Sequence, residues 1–182
     1  MKAKFLLPFV LALLFVSCGD EPNDVDYDYS PMGVYLFVTD ADGNDLLNPE
    51  TAGNILGNEI TIKYRNEVYP LHLESKNPVL CSPLHKAPRR KYYLAMLYGA
   101  YLEKIERTGE YYIYFGEIAG EERLDMEEVI VEWGDGTSDK ITLYNLLEWK
   151  KKKPFFTRKS WLNDVLCYEG DAPGFVFNII KD

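Results

Sequence analysis

Residues 149–161 read WKKKKPFFTRKSW, a stretch in which cations and aromatic rings stand side by side. Lys150, Lys151, Lys152, Lys153, Arg158 and Lys159 are interleaved with Trp149, Phe155, Phe156 and Trp161. Cations can pair anionic groups while neighbouring rings stack on sugar or acyl surfaces. Trp149, Lys150, Lys151, Lys152, Lys153, Phe155, Phe156, Arg158 and Trp161 are therefore the candidate ligand-binding set. The plainer use of the same residues makes the rings core anchors and the lysines a solvated loop. A second basic cluster, Lys86, Arg89, Arg90 and Lys91, runs into Tyr92 and Tyr93.

Three other groupings invite chemistry. Asp40, Asp42, Asn44 and Asp45 crowd hard oxygens as calcium prefers, but Gly43 stands fourth where an EF-hand needs its glycine sixth. The twelfth position is Thr51 rather than a glutamate, and Asp, Asn and Gly are equally the residues of a tight turn. Cys81 and His85 could form a thiol–base pair, yet His72 is the only other imidazole and no orienting third group is evident. Glu117, Glu121, Glu122, Asp125, Glu127 and Glu128 could supply an acid and a base for glycoside hydrolysis if they faced each other across a cleft. On an exposed loop they form an ordinary solvated rim. No cofactor is expected, and an enzyme is not the first reading.

The whole chain bounds these options. Its 182 residues suit one domain, and 47% hydrophobic with 27% charged residues is globular composition. Twenty basic against 29 acidic residues give a net charge of −9, the wrong sign for a nucleic-acid binder. Three cysteines and two histidines are too few for a zinc-ribbon site.

The first 17 residues carry Lys2 and Lys4, then a run from Phe5 to Val16 that is apolar apart from Pro8. As a helix that run is about 18 Å long, short of the roughly 30 Å hydrocarbon core, so it reads as a signal peptide. The ending Phe15-Val16-Ser17-Cys18 resembles the lipobox of bacterial lipoproteins. That resemblance implies cleavage before Cys18, a diacylglycerol thioether on its sulfur, and an acyl chain such as palmitate on its new amine. Several acyl chains anchor a protein stably where one does not. Residues 18–32 follow as an acidic tether, with Asp20, Glu21, Asp24, Asp26 and Asp28 and no base. Acidic residues just after the lipidated cysteine also resemble the surface-export signal of Bacteroidetes-type lipoproteins. Without the leader the balance is 18 basic to 29 acidic, and 10 of those 18 lie in the two basic clusters. Cys81 and Cys167 would then occupy a disulfide-permissive compartment, where they either bridge or remain two buried thiols.

From residue 33 to 182 the dominant period is two, as strands require. Val34-Leu36-Val38 alternates with Tyr35-Phe37-Thr39, both largely apolar, which predicts a strand covered on two faces. Ile60 to Arg65, Val68 to Glu74, Tyr111 to Phe115, Val129 to Trp133, Ile141 to Leu143 and Phe175 to Ile180 read as further strands. Pro70 puts the second of these at an edge or bulge. Gly134-Asp135-Gly136 is the clearest hairpin signal. Residues 92–105 suit either a short helix or a strand. Seven to eight strands without βαβ alternation predict a single antiparallel β-sandwich.

The segment YYIYFGEIAGEERLDMEEVIVEWGDGTSDKITLYN, residues 111–145, and VTDADGNDLLNPE, residues 38–50, resemble segments of uncharacterised Bacteroidetes-type surface lipoproteins. Trp133-Gly134-Asp135-Gly136-Thr137 is similar to the WGDG turn of polycystic-kidney-disease-type domains, which implies an immunoglobulin-like sandwich. Neither resemblance brings an activity. The expectation is a lipid-anchored protein of the outer membrane, facing the cell surface or else the periplasm. Its sandwich would be a binding module for an anionic glycan or an envelope protein. Alternatives are an adhesin- or pilus-type subunit pairing through an edge strand, and a glycan-active enzyme using Glu117–Glu128.

Overall fold

The computed structural model describes residues 29–73, 99–151 and 153–181. Ten strands form one sheet: β1 (Met32–Thr39), β2 (Thr61–Tyr64), β3 (Glu67–His72), β4 (Gly99–Lys104), β5 (Tyr111–Ile118), β6 (Leu124–Glu132), β7 (Ser138–Lys150), β8 (Lys153–Leu162), β9 (Val165–Gly170) and β10 (Gly174–Ile180). Their order is β10-β1-β5-β4-β3-β2-β6-β7-β8-β9, and the sheet curls into a barrel that is closed except for a seam between β9 and β10. All pairings are antiparallel except β1 with β10 and the two-residue contact of β3 with β4. Pro70 pairs with Thr61 of β2 just before that short parallel contact begins at Leu71, so its missing donor interrupts no ladder toward β4.

This architecture overturns the expected immunoglobulin-like β-sandwich of seven to eight strands. The helix considered for residues 92–105 is also corrected: 99–104 is strand β4, and 92–98 lie outside the described residues. The reason is visible on β1. Its inward set, Met32, Val34, Leu36 and Val38, is buried in the barrel core. Its outward set, Tyr35 and Phe37, packs against Tyr112 and Tyr114 of β5, with ring centroids 5.2–5.7 Å apart. A strand apolar on both faces needs a second covering layer, but here rings lying along the outer surface supply it instead of a second sheet.

Those rings lie over glycines. Gly174, Gly33, Gly116 and Gly99 form a row across β10, β1, β5 and β4, since Gly33 pairs Gly174, Gly99 pairs Gly116, and a Cβ on Gly116 would lie 3.2 Å from the Gly33 Cα. Side chains at Gly174, Gly33 and Gly99 would run into the rings of Tyr35, Tyr114 and Tyr101 respectively. Glycine in a strand permits a sharp bend, and an aromatic ring folded over it restores the lost packing.

Inside, Phe115 meets Tyr64 and Tyr69 from the facing wall, with centroids 5.8 and 5.4 Å away. Leu46, Leu47, Ile60 and Trp133 fill the lower end, defined by the β6–β7 turn. The upper end is that of the β7–β8 turn.

Gly116 is held at φ +145°, and a Cβ there would also sit 3.0 Å from the carbonyl oxygen of Met32. Gly116→Ala is expected to destabilise by about 1–3 kcal/mol in urea unfolding. Gly57→Ala, which meets nothing within 4 Å, should change stability by less than about 0.5 kcal/mol.

Candidate functional site

The cation–aromatic segment is the β7–β8 hairpin. β6 pairs with β7 only as far as Asn145, and β9 pairs with β8 only from Arg158. Among the described residues, 146–150 and 153–157 therefore pair as strands only with each other, from Leu146↔Thr157 to Lys150↔Lys153. This is about 17 Å of two-stranded ribbon beyond the neighbouring strands. Lys151 turns the ribbon at φ +51°, in the left-handed region that tight hairpin turns use. Lys152 lies outside the described residues.

Strand alternation divides the candidate set between the two faces of the ribbon. Trp149 shares a face with Leu147, Pro154 and Phe156, while Phe155 shares the other with Glu148, Lys150 and Lys153. Trp149 is 57% exposed and Phe155 49%. Lys150 Nζ lies 4.1 Å from the Phe155 ring centre and 3.4 Å from a Glu148 carboxylate oxygen.

Phe156 and Arg158 do not belong to this tip. Arg158 is 3% exposed and closes the upper end of the barrel. Its Nε donates to the Asn145 side-chain oxygen at 3.0 Å, one terminal nitrogen to the Asp171 carbonyl at 2.7 Å, and the other to the Gly120 carbonyl at 3.3 Å. The Phe156 ring lies beneath its guanidinium at 4.2 Å, and Tyr29 meets Phe156 edge-on at 5.3 Å. Burial lowers the Arg158 pKa from its ordinary value, and among the described residues it makes no ion pair. Arg158 is therefore a structural plug and not a ligand group. Trp161 is half-buried on the outer face, opposite Thr142 and about 25 Å along β8 from the tip. Lys159 is paired with Glu169 at 2.8 Å.

The other groupings resolve locally. Asp40 accepts the amides of Asp42 and Asn44 on one oxygen and the Asn44 side chain on the other, which lowers its pKa. Asp45 accepts the amides of Leu47 and Tyr111, tying the loop to β5. Both carboxylates thus organise turns. Among the described residues no group of three or more His, Cys, Asp or Glu is placed to hold a metal. Only residues 119–123 of the acidic stretch are loop; Glu122 and Glu127 both pair with Arg65, at 2.5 and 3.5 Å. Cys167 is exposed on β9 with its thiol toward the Val165 carbonyl. Cys81, His85, Lys86, Arg89, Arg90 and Lys91 lie outside the described residues.

The WGDG turn works as a latch on the lower end. Lys181, just past β10, pairs with Asp135 at 2.7 Å, donates to the Thr137 hydroxyl at 2.7 Å, and stands over the Trp133 ring at 4.8 Å. Trp133 donates its indole N–H to Asp139 at 2.7 Å. Sequence reasoning missed this role because the partner, Lys181, is remote in the chain.

No protein-family model, curated protein or solved structure matches the chain.

Replacing Arg158 by Met removes three hydrogen bonds and takes the donor from the buried side-chain oxygen of Asn145. A loss of about 2–4 kcal/mol is expected in urea unfolding, with Lys151→Ser near zero. The Lys181 and Thr137 bonds hold the Asp135 carboxyl well below the usual carboxylate range. Its contribution is therefore complete above its unfolded pKa, about 3.9, and is lost as pH falls through the lower folded value. Asp135→Asn should lower the thermal midpoint at neutral pH and flatten its fall in acid, read by thermal scans from neutral pH downward.

Proposed function

We propose that the chain is a lipid-anchored envelope protein, held at Cys18 on an acidic tether, whose barrel presents the β7–β8 hairpin to an anionic partner. The anchor reading is supported by the basic, apolar and Ser17-Cys18 segments of the leader and by the resemblance to Bacteroidetes-type surface lipoproteins. The same resemblance favours the outer membrane and a surface-facing domain. The binding reading is carried by one observation: a ribbon projecting past its neighbours, with Trp149 and Phe155 exposed beside Lys150, Lys151 and Lys153. Exposed rings beside cations offer a partner both stacking and charge, and the cations select negative charge.

A second reading, pairing with another subunit by strand addition, is favoured by the seam. There, among the described residues, β9 and β10 each keep an unpaired edge, and Val165, Leu166, Val176 and Ile180 are exposed.

The hairpin reading is tested by retention on an immobilised polyanion, with salt as the eluent. Changing Lys150, Lys151 and Lys153 together to Ser should weaken retention by about tenfold or more. Equal retention of the variant would remove the hairpin as the binding element.

A further inference from the structure

The hairpin and the start of the barrel share one end of the molecule. The described chain begins at Tyr29, whose ring packs edge-on against Phe156 at the base of the ribbon. Next to it the Ser30 carbonyl sits so close to Gly120 that a Cβ there would collide with it. Residues 19–28 are all that separate Cys18 from Tyr29, a span that cannot exceed about 40 Å even fully extended. A tether from Cys18 thus joins the barrel at its upper end, the end that carries the ribbon.

The arrangement of the rings selects among anionic partners. Trp149 and Phe155 point to opposite faces of the ribbon, so no single ligand lying on one face can stack on both. A layer that surrounds the tip accepts both at once. Lys150 and Lys153 stand on the Phe155 face and Lys151 at the turn itself, and among the described residues Lys151 and Lys153 make no ion pair. A bilayer interface offers this combination: tryptophan and phenylalanine settle at headgroup level while lysines reach lipid phosphates. Outside the ribbon the described residues are strongly acidic. An anionic surface repels them and draws in the ribbon tip, which orients the barrel end-on.

We propose that the tip of the β7–β8 hairpin seats in the anionic headgroup layer of the membrane that holds Cys18. This rests on the anchor reading above and names the partner of the same site. The barrel then stands on two legs, the acyl chains at Cys18 and the ribbon tip, with its lower end turned away from the bilayer.

The test uses the lipidated mature protein in vesicles of phosphatidylcholine alone or with about 30 mol % phosphatidylglycerol. Some acyl chains carry bromine to quench nearby tryptophan. Trp133 is buried in the barrel and Trp161 sits far down β8, so quenching that disappears in Trp149→Phe belongs to the tip. In anionic vesicles the wild type should show at least about threefold more quenching than Trp149→Phe. Added salt and the Lys150, Lys151 and Lys153 to Ser variant should each reduce it. Equal quenching in wild type and Trp149→Phe, with Trp149 still open to aqueous iodide, overturns the membrane seat while leaving the anchor intact. If that result comes with salt-sensitive retention on an anionic polysaccharide, the hairpin passes to a glycan partner. A protein that does not float with the vesicles at all overturns the anchor, and the seat falls with it.

Discussion

Four missing side chains hold the key to the curl of this sheet. At Gly174, Gly33, Gly116 and Gly99 the outer surface carries no Cβ, and the rings of Tyr35, Tyr114 and Tyr101 come down into the space. A ten-stranded sheet with ordinary residues there would be stiffer and flatter along that line. The bend brings Phe115 of β5 within ring contact of Tyr64 and Tyr69, which belong to strands near the middle of the sheet order. Burial desolvates the bending rings too: the Tyr35 and Tyr114 hydroxyls have pKa values raised above that of free tyrosine. The same residues that cover the backbone outside therefore let the apolar face close on itself inside.

Curling still leaves two strand edges, β9 and β10, that do not form a ladder with each other. Two cations reach across instead, one near each end of the seam. At the upper end Arg158 of β8 grips the Asp171 carbonyl in the β9–β10 connection, and the Tyr168 hydroxyl accepts the Ala172 amide. At the lower end Lys181 joins the end of β10 to the β6–β7 turn. The two clasps differ in kind. A planar guanidinium can be satisfied by neutral oxygens at several angles, which suits a buried plug. An ammonium is a point charge and takes a carboxylate, which suits a partly wet rim.

Much of this was legible in the residues, and the failures have identifiable causes. Period-two alternation was sufficient for β1, β2, β5, β6, β7 and β10, and Asp135-Gly136 for the β6–β7 hairpin. β8 and β9 escaped notice because their turn is Asn163-Asp164, both at positive φ without a glycine, and because lysines interrupt the apolar rhythm of β8. The sandwich expectation came from seven to eight strands without βαβ alternation and from the likeness of the WGDG turn, and β1, apolar on both faces, agreed with it; nothing in a one-dimensional pattern distinguishes a covering sheet from tyrosines lying over glycines. The tip residues Trp149, Lys150, Lys151, Lys153 and Phe155 were recognisable by type. Arg158 was grouped with them wrongly, since its inward direction follows from pairing with Asn145, a register that only the fold reveals.

The parallel pairing of β1 with β10 has a consequence for how the molecule is made. β1 finds one of its two neighbours only at β10, nine strands later along the chain. Contacts so distant in sequence are slow to form, because the intervening loop must be ordered first. Until β10 has been made, β1 thus lacks one neighbour and the lower end lacks its fastening at Lys181.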